Sequence, residues 1–529
     1  MGILAALSGH AVPLLCGLLG VYVVRKIVVY AGLRRFEGPV WTGFSDWPHS
    51  RAMLQHNCHE WYAGISEKYG ARHPLFRVLN VPLGRLHPCP GPIARVAPRI
   101  LITSSPDVWM HVCNKPGYKR SDWYYNACRI EHRRDNVFSQ TDNAKHERRR
   151  KQMAPGYSGR ENLDLELSID LHVQEFIHLI RSKYLSSDGQ VVPMDLGQKV
   201  QYFTLDVISA VGLGKAFGML RSDSDVDDYL KSSEEGLVVA NAALAMGFAW
   251  LAQAPLVGRF IAPSPKDNNG FGKMMATCFR YVDERAANPT DKRSDMLASF
   301  IRHGLSGDDL RSEALEQIIA GSDTTAGAIR GTLLHVMTNP RVYAKLQREV
   351  DDAVRDGGAP AAGEGLVAAA QVKQLPYLQA VVREGLRVWP PVANILPRDV
   401  PPGGDTVVVD GEDVFLPGGV CVGYSAYAMH HSEAVYGADA KAFRPERWFE
   451  SDPGKLAAMV RTNDLTFGHG RFQCLGKPVA QVEIGKAVFE LLRNFDMALI
   501  NPTHPWEARN CLGLFTISDM WVQVMERAP

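Results

Sequence analysis

The run of uncharged residues at the start of the chain restricts its fold more than any other feature. No Asp, Glu, Lys or Arg occurs from residue 2 to residue 24. A bilayer hydrocarbon core takes about 20 apolar residues as a helix, so this run is long enough to span a membrane. A cleaved signal peptide would carry positive charge before its apolar stretch, and this chain carries none there. We predict a single transmembrane helix, and the alternative is a buried helix of a soluble domain.

Basic residues directly after the apolar run predict its orientation. Arg25, Lys26, Arg34 and Arg35 follow it, and positive flanks stay on the cytoplasmic side of a membrane. We therefore expect the amino terminus in the lumen and the remaining chain in the cytosol. Residues 37–39 (Glu-Gly-Pro) predict a break. It divides the chain into an anchor with its basic flank, residues 1–35, and one large domain, residues 36–529.

The large domain is predicted to be mainly α with small β-sheets, an α+β fold. Hydrophobic residues make up 46% of the chain and charged residues 22%, which is typical of globular proteins. The charges nearly cancel, 58 Lys+Arg against 57 Asp+Glu, so a nucleic-acid partner is excluded. Helical periodicity marks residues 162–184, 196–211, 310–337, 341–354, 378–388 and 475–495, and strand character marks 93–97, 101–103, 406–409, 514–517 and 521–525.

One of the cysteines lies in a sequence context that favours metal binding. The chain has nine cysteines without a CxxC pair, which argues against a disulfide framework and a structural zinc site. Cys474 ends the glycine-rich segment FGHGRFQCLG and precedes an amphipathic helix. A sulfur at a helix amino terminus meets unpaired N–H groups, which favour the thiolate that an iron ion needs. The alternative is a buried structural cysteine in a tight turn.

The segment around Cys474 resembles the haem-binding loop of the cytochrome P-450 family, FxxGxxxCxG, with Phe467 at its start. The resemblance implies that Cys474 is the axial thiolate ligand of haem iron. The family usually has an Arg two residues before the cysteine, which pairs with a haem propionate. This chain has Phe472 there and Arg471 one place earlier, a form similar to fungal members of the pisatin demethylase-like group.

Further motifs of the family follow in the expected order. Glu384 and Arg387 have the ExxR spacing, and Arg447 lies in the later segment FRPERW. The resemblance implies that these three form a buried ion network behind the thiolate loop. Its role would be structural, since a buried charge without its partner costs several kcal/mol.

The sequence AGSDTT interrupts a long helical pattern with poor helix formers. A Gly and Thr hydroxyls in mid-helix predict a local groove, and the alternative is a kink packed against the core. The segment is similar to the family's oxygen-activation motif. By that resemblance, Asp323 and Thr324 are the acid and alcohol that relay protons.

Cationic side chains are the expected partners of the haem propionates. His146 and Arg150 match the family's WxxxR motif with His in place of Trp, and Arg398 occupies the other usual propionate position. We predict that Arg148 and Arg149 form a solvated face, and the same basic face is a candidate dock for an acidic electron donor. Substrate-pocket candidates by family position are Ser322, Val392, Ala393, Ile395, Leu512 and Leu514.

The resemblance implies a haem b monooxygenase of the endoplasmic reticulum membrane, with its single catalytic domain in the cytosol. It would oxidise a lipophilic small molecule of fungal secondary metabolism with dioxygen and electrons from NADPH. No nucleotide-binding fingerprint occurs in the sequence, so a separate reductase must supply the electrons. Two alternatives remain, an oxidative rearrangement or ring expansion and a non-enzymatic haem-binding membrane protein. The apolar stretch 237–261 is either core or a second membrane contact.

Overall fold

The computed structural model describes residues 2–70, 92–288, 293–361 and 363–527. They form two compact units, each built from two stretches of chain. The first unit comprises Met1–Ser121 and Ile395–Ala428, and the second comprises Asp122–Asn394 and Met429–Pro529. The first unit contains seven of the twelve described strands, and the second unit contains most of the described helices.

The first helix, α1, is longer than the uncharged run. It extends over Gly2–Leu33 and passes through Arg25 and Lys26, because neither residue type interrupts a helix. Within the described residues, Cys16–Leu33 is the only stretch long and apolar enough to cross a membrane, with a mean hydropathy of 1.6. A signal sequence near the amino terminus has the same length and apolar composition.

The end of α1 packs against the first unit. The rings of Tyr30 and Phe44 stack with centroids 4.4 Å apart, and the Arg95 guanidinium lies 5.1 Å from the Tyr30 centroid. Arg95 also donates to the Leu33 carbonyl oxygen at 3.5 Å. Leu33 and Phe36 are buried. The turn at residues 37–39 therefore follows a packed contact and does not separate the helix from the unit.

The first unit combines one larger sheet with a few helices. Its strands are β1 (Ile93–Ala97), β2 (Ile100–Thr103), β3 (Lys119–Arg120), β5 (Arg398–Asp399), β6 (Asp405–Val409), β7 (Glu412–Leu416) and β8 (Cys421–Tyr424), and the helices after α1 are α2 (Trp47–Leu54), α3 (Cys58–Tyr69) and α4 (Pro106–Asn114). The sheet has the strand order β1-β2-β8-β5-β3. Strand β2 pairs antiparallel with β1 and parallel with β8, and β5 pairs antiparallel with β8 and β3. Strands β6 and β7 form a separate hairpin.

The second unit is a helical body with two small sheets. Its helices are α5 (Trp123–Cys128), α6 (Asn143–Tyr157), α7 (Leu165–Lys183), α8 (Leu196–Leu213), α9 (Met219–Ser222), α10 (Tyr229–Ala245), α11 (Gly258–Ile261), α12 (Gly270–Ala286), α13 (Met296–Arg302), α14 (Gly307–Met337), α15 (Pro340–Arg355), α16 (Ala369–Val372), α17 (Pro376–Val388), α19 (Glu433–Tyr436), α20 (Pro453–Asp464) and α21 (Lys477–Asn494), and the chain passes from the first unit to the second within α18 (Ala426–His430). Its strands are β4 (Met194–Asp195), β9 (Phe495–Leu499), β10 (Glu507–Cys511), β11 (Leu514–Ser518) and β12 (Trp521–Glu526). Strands β4, β12 and β9 form one sheet, and β10 and β11 form a hairpin. The longest helix of the unit, α14, packs against α8 and α21.

The predicted fold class, mainly α with small sheets, is confirmed. All six helices and all five strands predicted from periodicity are present, with ends that differ by a few residues. Seven of the described strands were not predicted: β3, β4, β5, β7, β8, β9 and β10. Three of them, β3, β4 and β5, have only two residues each, and β10 is mostly polar.

The apolar stretch 237–261 has one buried face and one exposed face. Leu237 and Ala245 are buried on α10, whereas Val239, Leu256 and Phe260 are 68%, 72% and 75% exposed. Large apolar side chains grouped on a surface are typical of contacts with protein or membrane. The stretch is therefore core on one side only.

Candidate functional site

The loop before α21 places Cys474 at its end. The Cys474 N–H donates to the Phe467 carbonyl oxygen at 2.7 Å and closes the loop. Gly468 has a φ of +74°, and a Cβ there would lie 2.9 Å from the Phe472 carbonyl oxygen. Only glycine fits this turn without strain. The glycine-rich sequence thus sets the loop that presents the thiol.

The Cys474 thiol lies in a recess. It is accessible, yet the surrounding protein raises the pKa of the thiol by desolvation. The N–H groups of Gly476 and Lys477 and the charge of Arg150 lower this pKa, but burial outweighs them. The backbone N–H donors that the sequence predicts at the start of α21 are therefore present, but they do not outweigh the effect of burial on the thiol pKa. Bonding to a metal cation deprotonates such a thiol.

Ser322, Asp323 and Thr324 lie in the middle of α14, which is a continuous α-helix through all three residues. The Thr324 hydroxyl donates to the Ala320 carbonyl oxygen at 2.7 Å. Ser322 is buried, and its hydroxyl donates to the Ile319 carbonyl oxygen at 3.4 Å. Because α14 packs against α21, which begins just after Cys474, the motif and the thiol belong to neighbouring elements.

The Asp323 carboxylate faces helix α8. Gln201 donates its amide N–H to Asp323 Oδ1 at 2.7 Å. Burial raises the pKa of Asp323 to about 6, while Arg330 and the Gln201 bond oppose the rise. A carboxyl with a pKa near neutrality exchanges its proton readily at physiological pH.

Glu384, Arg387 and Arg447 form the predicted network. Arg387 donates to both Glu384 oxygens at 2.8 and 2.9 Å, and Arg447 Nε donates to Glu384 Oε1 at 2.9 Å. All three side chains are almost fully buried. Two donors beyond the prediction complete the shell, Trp448 Nε1 at 3.0 Å and the Arg444 backbone N–H at 2.8 Å.

The network connects to the chain that leads into the Cys474 loop. Arg387 donates to the His430 carbonyl oxygen at 2.8 Å, and the His430 ring nitrogen Nε2 lies 3.2 Å from the Thr466 hydroxyl. Asn463, at the end of α20, donates to the Arg383 carbonyl oxygen at 3.2 Å. These contacts fix residues 463–466, directly before Phe467.

Helix α6 brings two predicted propionate partners to the same loop. The His146 ring lies 5.3 Å from the Phe472 ring, between centroids. Arg150 is close enough to Cys474 for their charges to interact, and burial lowers the pKa of Arg150. Arg471 is half-buried in the 3₁₀ turn Gly470–Phe472.

The prediction that Arg149 belongs to a solvated face is wrong. Its guanidinium donates to Glu313 at 2.6 Å and to Asp309 at 2.8 Å, both on α14. Glu313 is fully buried and also accepts the Val137 N–H at 3.0 Å. Arg148 is exposed as predicted. Arg149 points inward because it pairs with the buried Glu313 carboxylate, which is 164 residues away. The local sequence around Arg149 does not indicate this partner.

Arg398 lies in the first unit, on strand β5, unlike the other predicted haem contacts. It is 3% exposed and donates to the Leu396 carbonyl oxygen at 2.6 Å. Its guanidinium lies 5.4 Å from the centroid of the Trp109 ring. Ile395, a pocket candidate, belongs to the same unit and is fully buried.

The other apolar pocket candidates meet at the β10–β11 hairpin. The Ala393 N–H donates to the Gly513 carbonyl oxygen at 2.9 Å, which joins residues 392–394 to the turn that carries Leu512 and Leu514. Leu512 is buried with a φ of +55°, an uncommon conformation for this residue type. Strand β11 packs against α14, the helix of Ser322.

Sequence reasoning missed three residues that contact the candidate site: Gln201, Trp448 and Glu313. Each is joined to its partner across many residues of chain, so no local spacing marked it. The only available signal was the tryptophan of the segment FRPERW, which lies beside Arg447.

Comparison with known proteins gives consistent matches. The family model described as Cytochrome P450 matches residues 79–518. The cytochrome P450 monooxygenase ABA1 of Pyricularia oryzae is 36% identical over 536 residues, 99% of this chain and 98% of the relative. The monooxygenase aba1 of Botryotinia fuckeliana is 36% identical over 83% of this chain and 86% of its own, and abl1 of Leptosphaeria maculans is 32% identical over 81% and 75%.

Proposed function

Since the chain belongs to the cytochrome P450 family and its relatives are monooxygenases, we propose that it hydroxylates a lipophilic small molecule of fungal secondary metabolism. Electrons come from NADPH through a separate reductase. The observation that carries the proposal is the recessed Cys474 thiol at the start of α21, a helix that packs against α14, which bears Asp323 and Thr324. The non-enzymatic alternative is dropped, because the family is one of enzymes.

The residues around Cys474 fit a haem group. The donor is a single thiol, with N–H groups of Gly476 and Lys477 directed at it, and Cys474 would supply the sulfur ligand of the haem iron. His146 and Arg150 would hold the propionates, with Phe467 and Arg471 on the loop beside them. When bound through the Cys474 thiolate, haem would supply the activation of dioxygen and the oxidation of a substrate carbon.

The protein side of the chemistry is proton delivery. The Thr324 hydroxyl, which bonds to Ala320 at rest, would turn to hold a water molecule and pass a proton. Asp323 would resupply that proton, and its pKa of about 6 suits the exchange. Glu384, Arg387 and Arg447 would keep the Cys474 loop in place and take no part in the chemistry.

We further propose that the enzyme is anchored in the endoplasmic reticulum membrane by α1, with the catalytic domain in the cytosol. The apolar helix and its basic residues support this orientation. The exposed side chains of Val239, Leu256 and Phe260 support a second contact with the bilayer. Exposed Lys145, Arg148 and Lys151 on α6 support docking of an acidic reductase surface.

The reaction is tested by expressing the chain with a fungal reductase and supplying lipophilic metabolite extracts under ¹⁸O-labelled dioxygen. Hydroxylation predicts an NADPH-dependent product that carries one labelled oxygen atom. A product of rearranged skeleton without the label would favour the rearrangement alternative instead. Mass spectrometry distinguishes the two.

The role of Cys474 is tested separately by Cys474→Ser. The reduced, carbon-monoxide-bound protein should show the red-shifted Soret band of a thiolate haem, and the variant should lose it. Cys128→Ser, at a half-buried cysteine of the same unit, should keep the band. A band retained in Cys474→Ser would remove this residue from the site.

A further inference from the structure

Helices α8 and α14 are held in a fixed register on both sides of Asp323. Arg330 of α14 donates through Nε to the Gly197 carbonyl oxygen at 2.8 Å, and Gln201, one turn further along α8, donates to Asp323. On the other side, a Cβ at Gly321 would lie 2.5 Å from the Ile208 side chain, so the helices touch through a glycine. Gln201 therefore meets Asp323 at a position that the packing defines.

The chemistry of Gln201 differs from that of a cation at the same place. An opposite charge within about 4–6 Å lowers the pKa of an aspartate by about 1–3 units and keeps it ionised. An amide donates a hydrogen bond without adding charge. Gln201 is 5% exposed, so water does not compete for this bond. The carboxyl is oriented and can still carry a proton.

Both groups of the relay are engaged elsewhere at rest. Asp323 accepts from Gln201, and the Thr324 hydroxyl donates to Ala320. We propose that Gln201 is a positioning residue of the proton relay, which holds the Asp323 carboxyl on the α8 side of α14 and releases it toward Thr324 during proton transfer. The inference rests on the proposed monooxygenase function.

The charged and titratable groups around Asp323 agree with this role. Arg330, on the same helix, lowers the pKa of Asp323, and its own guanidinium is bonded to Gly197. Glu234 and Tyr229 of α10 lie close enough to Asp323 for their charges to interact, and burial followed by the charge of Asp323 raises the pKa of Glu234. Gln201 thus donates a hydrogen bond to Asp323 without adding a charge to a group of titratable and charged side chains.

The test measures the titration of Asp323 in the haem-loaded protein by infrared spectroscopy, with Asp323→Asn to identify its carboxyl band. Gln201→Leu removes the donor and should move the titration to higher pH. Gln201→Lys adds a cation and should move it to lower pH by about 1–3 pH units. Gln198→Lys places the same charge at an exposed position of α8 and should leave it unchanged.

The second readout is product formed per NADPH consumed as a function of pH, with the metabolite that gives the labelled product. The inflection of this ratio should follow the infrared titration, in opposite directions for Gln201→Leu and Gln201→Lys. Shifts of equal size and direction in both variants would overturn the proposal. An inflection of the product ratio that is unchanged while the infrared titration of Asp323 shifts would overturn it as well. Absence of product from the wild-type protein would instead refute the proposed function, and the infrared result would then still decide whether Gln201 controls Asp323.

Discussion

Replacing Glu384 by Gln removes a carboxylate that two buried guanidinium groups share. Arg387 and Arg447 are 0% and 2% exposed, and both donate to Glu384. The Trp448 indole and the Arg444 N–H also donate to it. A glutamine side chain keeps the size but has one acceptor oxygen in place of two, and its NH₂ group points a donor at other donors.

The expected loss follows from burial. Removing one partner of a buried ion pair costs about 3–5 kcal/mol, because the remaining charge is left uncompensated. Here Arg387 loses its carboxylate partner, whereas Arg447 keeps the Asp439 carboxylate at 3.2 Å, so we expect a loss within that range. The free energy of unfolding of a native domain is about 5–15 kcal/mol. The variant should therefore fold only marginally, and the disturbance should reach the Cys474 loop through His430 and Thr466.

The assay is chemical denaturation of the haem-loaded protein, followed by tryptophan fluorescence and by the Soret band. Asp352→Asn is the matched control, since Asp352 pairs with Arg355 at the same spacing but is 54% exposed. Exposed pairs contribute about 0–1 kcal/mol. A loss below about 1 kcal/mol in Glu384→Gln would refute the reasoning that this network maintains the fold behind the thiol.

Three further changes have defined outcomes. Thr324→Ala should keep the thiolate spectrum and slow product formation by about 10²–10⁴-fold where proton transfer limits the reaction. NADPH consumption should fall less than product formation, so the product formed per NADPH should also fall. Thr324→Ser should retain this ratio, and an unchanged ratio in both variants would exclude the relay. Burial raises the pKa of Glu313 from 4.5 to about 7, so between these pH values the folded state keeps a proton that the unfolded state has lost. The free energy of unfolding of the wild type relative to Glu313→Gln should therefore fall as pH rises from 4.5 to about 7. A difference in denaturation midpoint that stays constant over this pH range would contradict this. Deleting residues 2–26 should release much of the protein from membranes at unchanged stability, with the exposed side chains of Val239, Leu256 and Phe260 holding the rest. Deleting residues 2–35 should also remove buried Leu33 and cost about 1.5–3 kcal/mol. Equal thermal midpoints of the two deletion variants would contradict the packing of the α1 end.

The sequence alone predicted the chemistry that we propose for the site, because its motifs are local. The glycine pattern before Cys474, the Asp-Thr pair in a long helix and the ExxR spacing each lie within one turn or one loop. Backbone geometry and helix periodicity fix the relative positions of such close neighbours, so reading them needs no tertiary contact. The same periodicity predicted the long helices and the mainly α fold.

Only the tertiary structure decided which partners these residues have. Gln201 and Asp323 are 122 residues apart, and Arg149 and Glu313 are 164 apart. Arg148 and Arg149 are indistinguishable in a basic run, yet one is solvated and the other is turned inward by a buried carboxylate. Such pairings depend on which helices pack together, and that packing is set by the summed burial of apolar faces along the whole chain, which no single motif encodes.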